Sequence, residues 1–246
     1  QAAGFRTGLF TSPHLVSFTE RIRVNNEEIT ESDVVSLAEE IRFKIQDSRF
    51  KLNPTFFEFV TAMGFLYFKK KNIDWAVVET GMGGRLDATN VLSPEASVIT
   101  SIGYDHSEFL GNTISAIAEE KAGIIKNGVP VITSAQEPSV MDAIKKKAGE
   151  KNAGLFVYGR DFSAAIKSED TNGSVFNYNG DDSFEDLVIS LPGRHQVLNA
   201  ALALKTIEIV SKKSSHHASR ITHHAIRNGL GNIKWQGRLE FISKEP

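Results

Sequence analysis

Hydrophobic and polar positions alternate along the chain in a pattern that predicts helices set between short buried strands. Residues 55–70 carry their apolar side chains at helical spacing, and the preceding Pro54 can open such a helix. Residues 75–78 form a short apolar run that ends at Glu79, as expected for a strand buried on both faces. The same alternation predicts strands at 97–102, 129–133 and 155–158 and helices at 114–125 and 139–151. Strands that alternate with helices favour a mainly parallel sheet.

The pattern changes after Gly159. Residues 164–191 are polar, and Asn-Gly pairs at 172–173 and 179–180 separate short alternating runs, which predicts two or three antiparallel strands. Helices are predicted at 195–211 and 221–228, and 238–242 resembles the start of a strand or linker. The predicted fold class is therefore α/β, a mainly parallel sheet flanked by helices with a small antiparallel β subregion at 163–192. We expect one domain over 1–242 and the start of a linker at 243–246.

Composition narrows the possible function classes. The 246 residues are 41% hydrophobic, which suits one large domain, and 28 basic against 30 acidic residues leave no basic stripe for nucleic acid. The absence of cysteine excludes disulfides and thiolate zinc sites. No apolar run approaches the roughly 20 residues that span a bilayer, and the N-terminus lacks both signal-peptide features and an initiator Met. A cytoplasmic protein without membrane contact is expected, with its natural N-terminus upstream.

The strongest local motif is the glycine-dense segment 79–90, which follows the predicted strand. Glu79 would lie at the carboxyl end of that strand, where open α/β sheets bind ligands. A carboxylate suits Mg²⁺, and glycines let the backbone approach a ligand closely. A strand end followed by a tight turn explains the segment equally well, so both interpretations stay open.

Two further candidates follow in the next elements. His106 comes after the next predicted strand, and neighbouring parallel strands would bring it close to Glu79, although a lone histidine is more often a packing residue. Lys121 follows two glutamates on a predicted helix, a pattern more typical of a solvated helix face.

A third group lies at the start of the predicted helix after Pro192-Gly193. His195, Gln196 and Asn199 occupy its first turns, where unpaired N–H groups attract anions. Ordinary helix capping accounts for the same residues. Arg238 could pair with a phosphate in a bidentate manner. No segment matches the phosphate-binding loop G-x-x-x-x-G-K-[ST].

Taken together, these segments resemble folylpolyglutamate synthase, a member of the Mur ligase superfamily. The segments that carry the resemblance occur in family order across nearly the whole chain: Thr11-Ser12-Pro13-His14-Leu15, Glu20-Arg21-Ile22, the segment 79–90, Asp105-His106, Glu120-Lys121-Ala122-Gly123, His195-Gln196 with Asn199, and Gly237-Arg238-Leu239-Glu240. The resemblance implies a central ATP-binding ligase domain over 1–242. It also implies a phosphate-binding loop before Gln1 and a smaller domain after Pro246.

The resemblance implies a role for each candidate. Glu79, His106 and Lys121 would hold two Mg²⁺ ions, with Lys121 carbamylated so that it becomes an anionic ligand. ATP would be contacted by His195, Gln196, Asn199 and Arg238. The folate site would include Ser12, Arg21 and Asp87. Catalysis would depend on Lys121, His106 and Arg238.

The implied reaction joins L-glutamate to a folate tail with ATP, through an acyl phosphate, in a monomeric enzyme. A second interpretation is dihydrofolate synthase activity, in which glutamate is added to dihydropteroate, alone or alongside the first activity. A cell-wall Mur ligase matches the segments at Ser12 and Gly84 less well. An interpretation of a different class is a non-catalytic fragment with an incomplete nucleotide site, and we expect residues 1–246 alone to be inactive.

Overall fold

The structure is a computed structural model. It describes residues 1–49, 52–104, 113–134, 136–213, 219–235 and 237. The described residues divide into two compact units, with the boundary between Leu92 and Ser93. Among them, no helix is both long and apolar enough to cross a membrane.

The first unit is a mixed sheet packed against two helices. Its described elements are β1 Thr7–Phe10, β2 Ile22–Val24, β3 Glu27–Glu28, α1 Glu31–Gln46, α2 Phe56–Lys70 and β4 Trp75–Val78, with 3-10 turns at Phe18–Arg21 and Ala88–Val91. The strand order is β3-β2-β1-β4, with β1 parallel to β4 and antiparallel to β2. Phe10 pairs with Val78, so β1 and β4 end at the same edge of the sheet.

Helix α2 begins where its sequence supplies a cap. The Thr55 side chain accepts a hydrogen bond from Glu58 N, and the Glu58 carboxylate accepts one from Thr55 N at 2.7 Å, which completes a capping box. Lys69 and Lys70 in the last turn complement the helix dipole. The core of this unit is apolar and aromatic: Phe10, Ile22, Ile29, Leu37, Ile41, Val60, Met63, Tyr67 and Phe68.

The second unit begins with a parallel sheet and its crossover helices. The elements are β5 Ser97–Ile99, α3 Ile114–Ala122, β6 Val131–Thr133, α4 Pro138–Glu150 and β7 Leu155–Val157. The strand order is β5-β6-β7, and both pairings are parallel. The fold class predicted from the sequence is confirmed by this sheet and by the antiparallel sheet that follows it.

The antiparallel part of the second unit has three strands and two described helices. These are β8 Ser163–Asp170, β9 Gly173–Asn179, β10 Ser183–Ile189, α5 Arg194–Ser211 and α6 His223–Gly231. The strand order is β10-β9-β8. Gly173 opens β9 with φ +144°, and an added Cβ would collide with the carbonyl oxygen of Ile189. Phe176, Leu187 and Ala201 are fully buried where α5 packs on the sheet.

A buried ion network joins α5 to the turn between β9 and β10. The Lys205 side chain is 1% exposed, and its Nζ lies 2.8 Å from Asp181 Oδ1 and 3.1 Å from Glu208 Oε2. The Glu208 carboxylate also accepts from the N–H groups of Asp181 and Asp182, at 3.2 and 3.1 Å. Burial disfavours the charged amine, but the hydrogen bonds to both carboxylates outweigh it and raise the pKa of Lys205.

One prediction about burial is wrong. The run Trp75–Val78 forms β4, but Val77 is 59% exposed, whereas Val78 packs against the core of the first unit. Among the described strands, β4 is hydrogen-bonded only to β1. An apolar run shows that a strand has hydrophobic side chains, but it does not show that both faces are covered.

Candidate functional site

Two loops meet at the edge of the first unit where β1 and β4 end. Ser12 N donates a hydrogen bond of 3.0 Å to Glu79 Oε2. Glu79 N in turn donates to the Phe10 carbonyl at 2.9 Å, which continues the pairing of β1 with β4 by one residue. The Ser12 Oγ atom is buried and has no hydrogen-bond partner among the described residues. The sheet register therefore brings together two predicted site residues that lie 67 positions apart.

The glycine-dense segment folds around the carboxylate of Asp87. Asp87 Oδ2 accepts from Gly81 N at 2.8 Å and from Met82 N at 2.9 Å, and Oδ1 accepts from Thr89 N at 2.9 Å. A Cβ at Gly81 would overlap the Phe57 ring, so glycine permits the close packing of this turn on α2. These contacts give Asp87 a structural role. The predicted role of Asp87 in substrate binding stays a prediction.

Loop 12–17 is held by Glu20, which enters the sequence analysis only as part of the segment Glu20-Arg21-Ile22. The Glu20 carboxylate accepts hydrogen bonds from Leu15 N at 2.8 Å, Val16 N at 2.8 Å and Ser17 N at 2.6 Å. These N–H donors lower the pKa of Glu20 to about 2, so the buried side chain is anionic. The spacing Ser17-Phe18-Thr19-Glu20 has the form S/T-x-x-E of a capping box, and this signal could have identified Glu20 from sequence.

Arg21 lies buried beside the same loop. Its Nε donates to His14 Nδ1 at 2.8 Å, and its guanidinium lies 5.7 Å from the centre of the Phe56 ring. Accepting this bond requires Nδ1 of His14 to be unprotonated. Burial lowers the pKa of Arg21, although an arginine stays charged at any physiological pH. A buried guanidinium at the loop is suited to bind an anionic group.

In the second unit, Lys121 is half-buried in the last turn of α3. A cation there is favoured by the helix dipole, which gives this lysine a structural role beside the predicted metal-binding one. Helix α3 starts with Thr113 as its N-cap, whose side chain accepts from Ala116 N at 3.2 Å. Carbamylation of Lys121 stays a prediction.

The three residues predicted at the start of α5 lie within one turn and a half. Asn199 Nδ2 donates to Gln196 Oε1 at 3.4 Å, and Gln196 is buried whereas His195 and Asn199 are exposed. The N-cap is Gly193 with φ +102°, and the His195 ring packs so closely against it that an added Cβ would lie 2.7 Å from Cε1. The glycine therefore leaves room for the His195 ring.

Two predicted residues, His106 and Arg238, lie outside the described residues. Glu79 belongs to the first unit and Lys121 to the second, and each unit is described by itself. The convergence of Glu79, His106 and Lys121 therefore stays a prediction.

The loop junction of the first unit fits a hard cation in its donor chemistry. Glu79 contributes carboxylate oxygens, and Ser12 contributes a buried hydroxyl that lacks a protein partner in the described part of the chain. Oxygen donors of this kind suit Mg²⁺, which keeps several waters and takes few protein ligands. Among the described residues, no group of three or more His, Cys, Asp or Glu side chains is arranged as a metal site.

Sequence comparison finds relatives over the whole chain. The bifunctional dihydrofolate synthase/folylpolyglutamate synthase of Bacillus subtilis is 39% identical over 251 residues, which cover 100% of this chain and 57% of that protein. This chain thus spans little more than half the length of that relative.

Solved structures match as well. The crystal structure of folylpolyglutamate synthase from Thermotoga maritima superposes with a TM-score of 0.86 at 42% identity, covering 97% of this chain and 54% of that one. A complex of FPGS with AMPPCP and folate gives a TM-score of 0.88 at 37% identity, covering 98% of this chain and 59% of that one. The Mur ligase middle domain family matches residues 30–207. This chain belongs to the Mur ligase middle domain family.

Proposed function

We propose that the protein containing this chain is an ATP-dependent amide ligase that adds L-glutamate to the tail of a folate. The observation that carries the proposal is the hydrogen bond from Ser12 N to Glu79 Oε2, which joins two motif loops at the carboxyl edge of the β1–β4 pair. The family membership and the names of the relatives support the same reaction. A monomeric, cytoplasmic enzyme is part of this proposal.

In the proposed site, ATP and Mg²⁺ bind at the loop junction. Glu79 would hold one Mg²⁺, with the Ser12 hydroxyl as a further oxygen donor, which revises the folate-binding role first inferred for Ser12. The metal would neutralise the charge of the triphosphate. His106 and Lys121 would complete the metal site, and Arg238, His195, Gln196 and Asn199 would contact ATP.

The proposed chemistry has two balanced steps. A tail carboxylate oxygen attacks the γ-phosphorus of ATP, and the bond to the β-phosphate breaks, giving ADP and an acyl phosphate. The glutamate amine then attacks the acyl carbon, loses a proton, and expels phosphate. Both steps bring anions together, so positioning and charge neutralisation supply most of the rate. Arg21 is proposed to hold a substrate carboxylate, because its guanidinium is already desolvated beside His14.

The second candidate is dihydrofolate synthase activity, alone or in addition. It is favoured by the double name of the B. subtilis relative, which is 39% identical. The two activities share the amide-forming chemistry and differ in the acid that is activated. Initial rates with dihydropteroate and with tetrahydrofolate as the acid, measured on the full natural protein, distinguish them. Turnover of only one acid would eliminate the other activity.

The proposal is tested by incorporation of labelled glutamate into folate by the full natural protein. Glu79→Gln keeps an acceptor for Ser12 N but removes the charge, so kcat should fall by about 10²-fold or more. Glu27→Gln, the same change on exposed β3, should keep normal activity. A wild-type protein that forms no amide from any folate or dihydropteroate would refute the function.

Lys121 has its own test in the same assay. Lys121→Ala should abolish most turnover, and added bicarbonate should not restore it, because no amine remains to be carbamylated. Near-normal activity of this variant would remove Lys121 from the proposed site.

A further inference from the structure

Loop 12–17 carries Ser12 and His14, yet its own backbone has few partners within regular secondary structure. Three consecutive N–H groups, those of Leu15, Val16 and Ser17, point to a single carboxylate, that of Glu20. The side chains of Leu15 and Val16 are 62% and 90% exposed, so apolar burial contributes little to holding this loop. The conformation of the loop therefore depends largely on hydrogen bonds, three of which are accepted by Glu20.

Two residues of loop 12–17 contact other proposed site residues. At the start of the loop, Ser12 N binds Glu79 Oε2, and its Oγ is buried. In the middle, His14 Nδ1 receives the Arg21 Nε hydrogen bond. A shift of the loop would change the position of the Ser12 hydroxyl and the direction of the Arg21 guanidinium together.

We propose that Glu20 is a positioning residue of the ligase site: by anchoring loop 12–17 it fixes the Ser12 hydroxyl beside Glu79 and, through His14, the Arg21 guanidinium. This inference rests on the proposed function. In this proposal Glu20 contacts neither substrate nor metal, because its carboxylate oxygens accept the loop N–H groups. Its effect on the reaction is exerted through Ser12 and His14.

The chemistry of the Glu20 carboxylate predicts which substitutions lose the hydrogen bonds to the loop. Glutamine offers one carbonyl oxygen, and its NH₂ group faces the N–H donors, so Glu20→Gln should lose at least one of the three bonds. Aspartate keeps both oxygens but is shorter by one methylene, so Glu20→Asp should retain part of the function. Glu27→Gln serves as the control, because that side chain is exposed on β3.

The first measurement is amide hydrogen exchange in the full natural protein. Glu20→Gln should selectively increase exchange at Leu15, Val16, Ser17 and Ser12, with protection of the α2 core retained. Unchanged protection of these amides in Glu20→Gln would overturn the inference, whether or not the enzyme is active.

The second measurement separates positioning from general stability. Glu20→Gln should lower kcat/KM by about 10- to 100-fold, the size expected when a site group is misplaced by about 1 Å. In a Ser12→Ala background, Glu20→Gln should lower kcat/KM by a clearly smaller factor, because the Ser12 hydroxyl that Glu20 positions has already been removed. Equal losses of kcat/KM in the two backgrounds would show that Glu20 does not act through the Ser12 hydroxyl and would overturn the inference. Absence of ligase activity in the wild type would instead refute the proposed function.

Discussion

At the scale of single residues, three carboxylates around the loop junction of the first unit accept hydrogen bonds from main-chain N–H groups. Glu20 accepts three such bonds and Asp87 accepts bonds from Gly81, Met82 and Thr89. Glu79 accepts a bond from Ser12 N. The first two acids fold the loops, and Glu79 retains the acceptor capacity that a cation requires.

The first prediction concerns acid conditions. The pKa of Glu20 is about 2 in the folded chain and about 4.3 when unfolded, so its carboxylate stabilises the fold above pH 4.3. That contribution is lost as the pH falls from about 4.3 towards 2. The difference in unfolding free energy between wild type and Glu20→Gln should therefore be constant from pH 7 to 5 and shrink below pH 4, as measured by urea unfolding. A difference that persists unchanged at pH 3 would contradict this mechanism.

The second prediction compares two glycines. Gly173→Ala should destabilise the protein by about 2 kcal/mol or more, because φ is +144° and the new Cβ would strike the Ile189 carbonyl. Gly149→Ala, in the last turn of α4 with open space around the new Cβ, should stabilise it by about 0.5–1 kcal/mol. Denaturant unfolding of both variants checks the opposite signs. The same sign for both would refute the argument.

At the scale of elements, the sequence predicted the helices and strands from residue 55 onwards within a few residues. Helix α2 carries its own start signal at Thr55 and Glu58, and α5 follows Gly193. The strong apolar periodicity and these caps are local features, so they can be recognised without knowledge of the fold.

The sequence patterns do not predict the elements before residue 55, for physical reasons. Helix α1 buries only Leu37 and Ile41 among its described residues, so its apolar stripe is weak. Strands β2 and β3 are three and two residues long, too short to show a period of two. The contact of Ser12 with Glu79 depends on the register of β1 against β4, which no local pattern encodes.

The third prediction concerns the ion network of α5. Lys205→Met should lower the free energy of unfolding by about 3–5 kcal/mol, because it leaves the Glu208 carboxylate, whose side chain is 6% exposed, without its cation. Lys212→Met removes the ion pair between Lys212 and Asp181. Because the Lys212 side chain is 66% exposed, this variant should lower the free energy of unfolding by less than about 1 kcal/mol.

The double variant Lys205→Met/Glu208→Gln isolates the origin of that cost. It should be less destabilised than the sum of the two single variants, since the unpaired buried charge is gone. Thermal or urea unfolding of the set measures this. Additive losses would show that Lys205 stabilises through packing rather than charge.

At the scale of the whole molecule, the family and the class of fold follow from segments spread along the chain. The spatial relation of Glu79, His106 and Lys121 does not follow from them, because it depends on how distant segments come together. The chain spans 57% of the length of its B. subtilis relative.

The fourth prediction applies to residues 1–246 produced alone. Their sequence contains no G-x-x-x-x-G-K-[ST] segment, so N–H groups that cradle the β- and γ-phosphates are not supplied by that motif. We expect no ATP-dependent phosphate release with folate and glutamate, whereas the full natural protein should release phosphate. Turnover by residues 1–246 alone would refute this expectation.

The lysine–carboxylate network between α5 and the β9–β10 turn has a consequence for behaviour on heating. Hydration of charged groups becomes less favourable as temperature rises, so the penalty for withdrawing Lys205 and Glu208 from water decreases. The contribution of this ion network to the stability of the second unit therefore increases with temperature. The attachment of this helix to its hairpin should be among the last tertiary contacts of the second unit to melt.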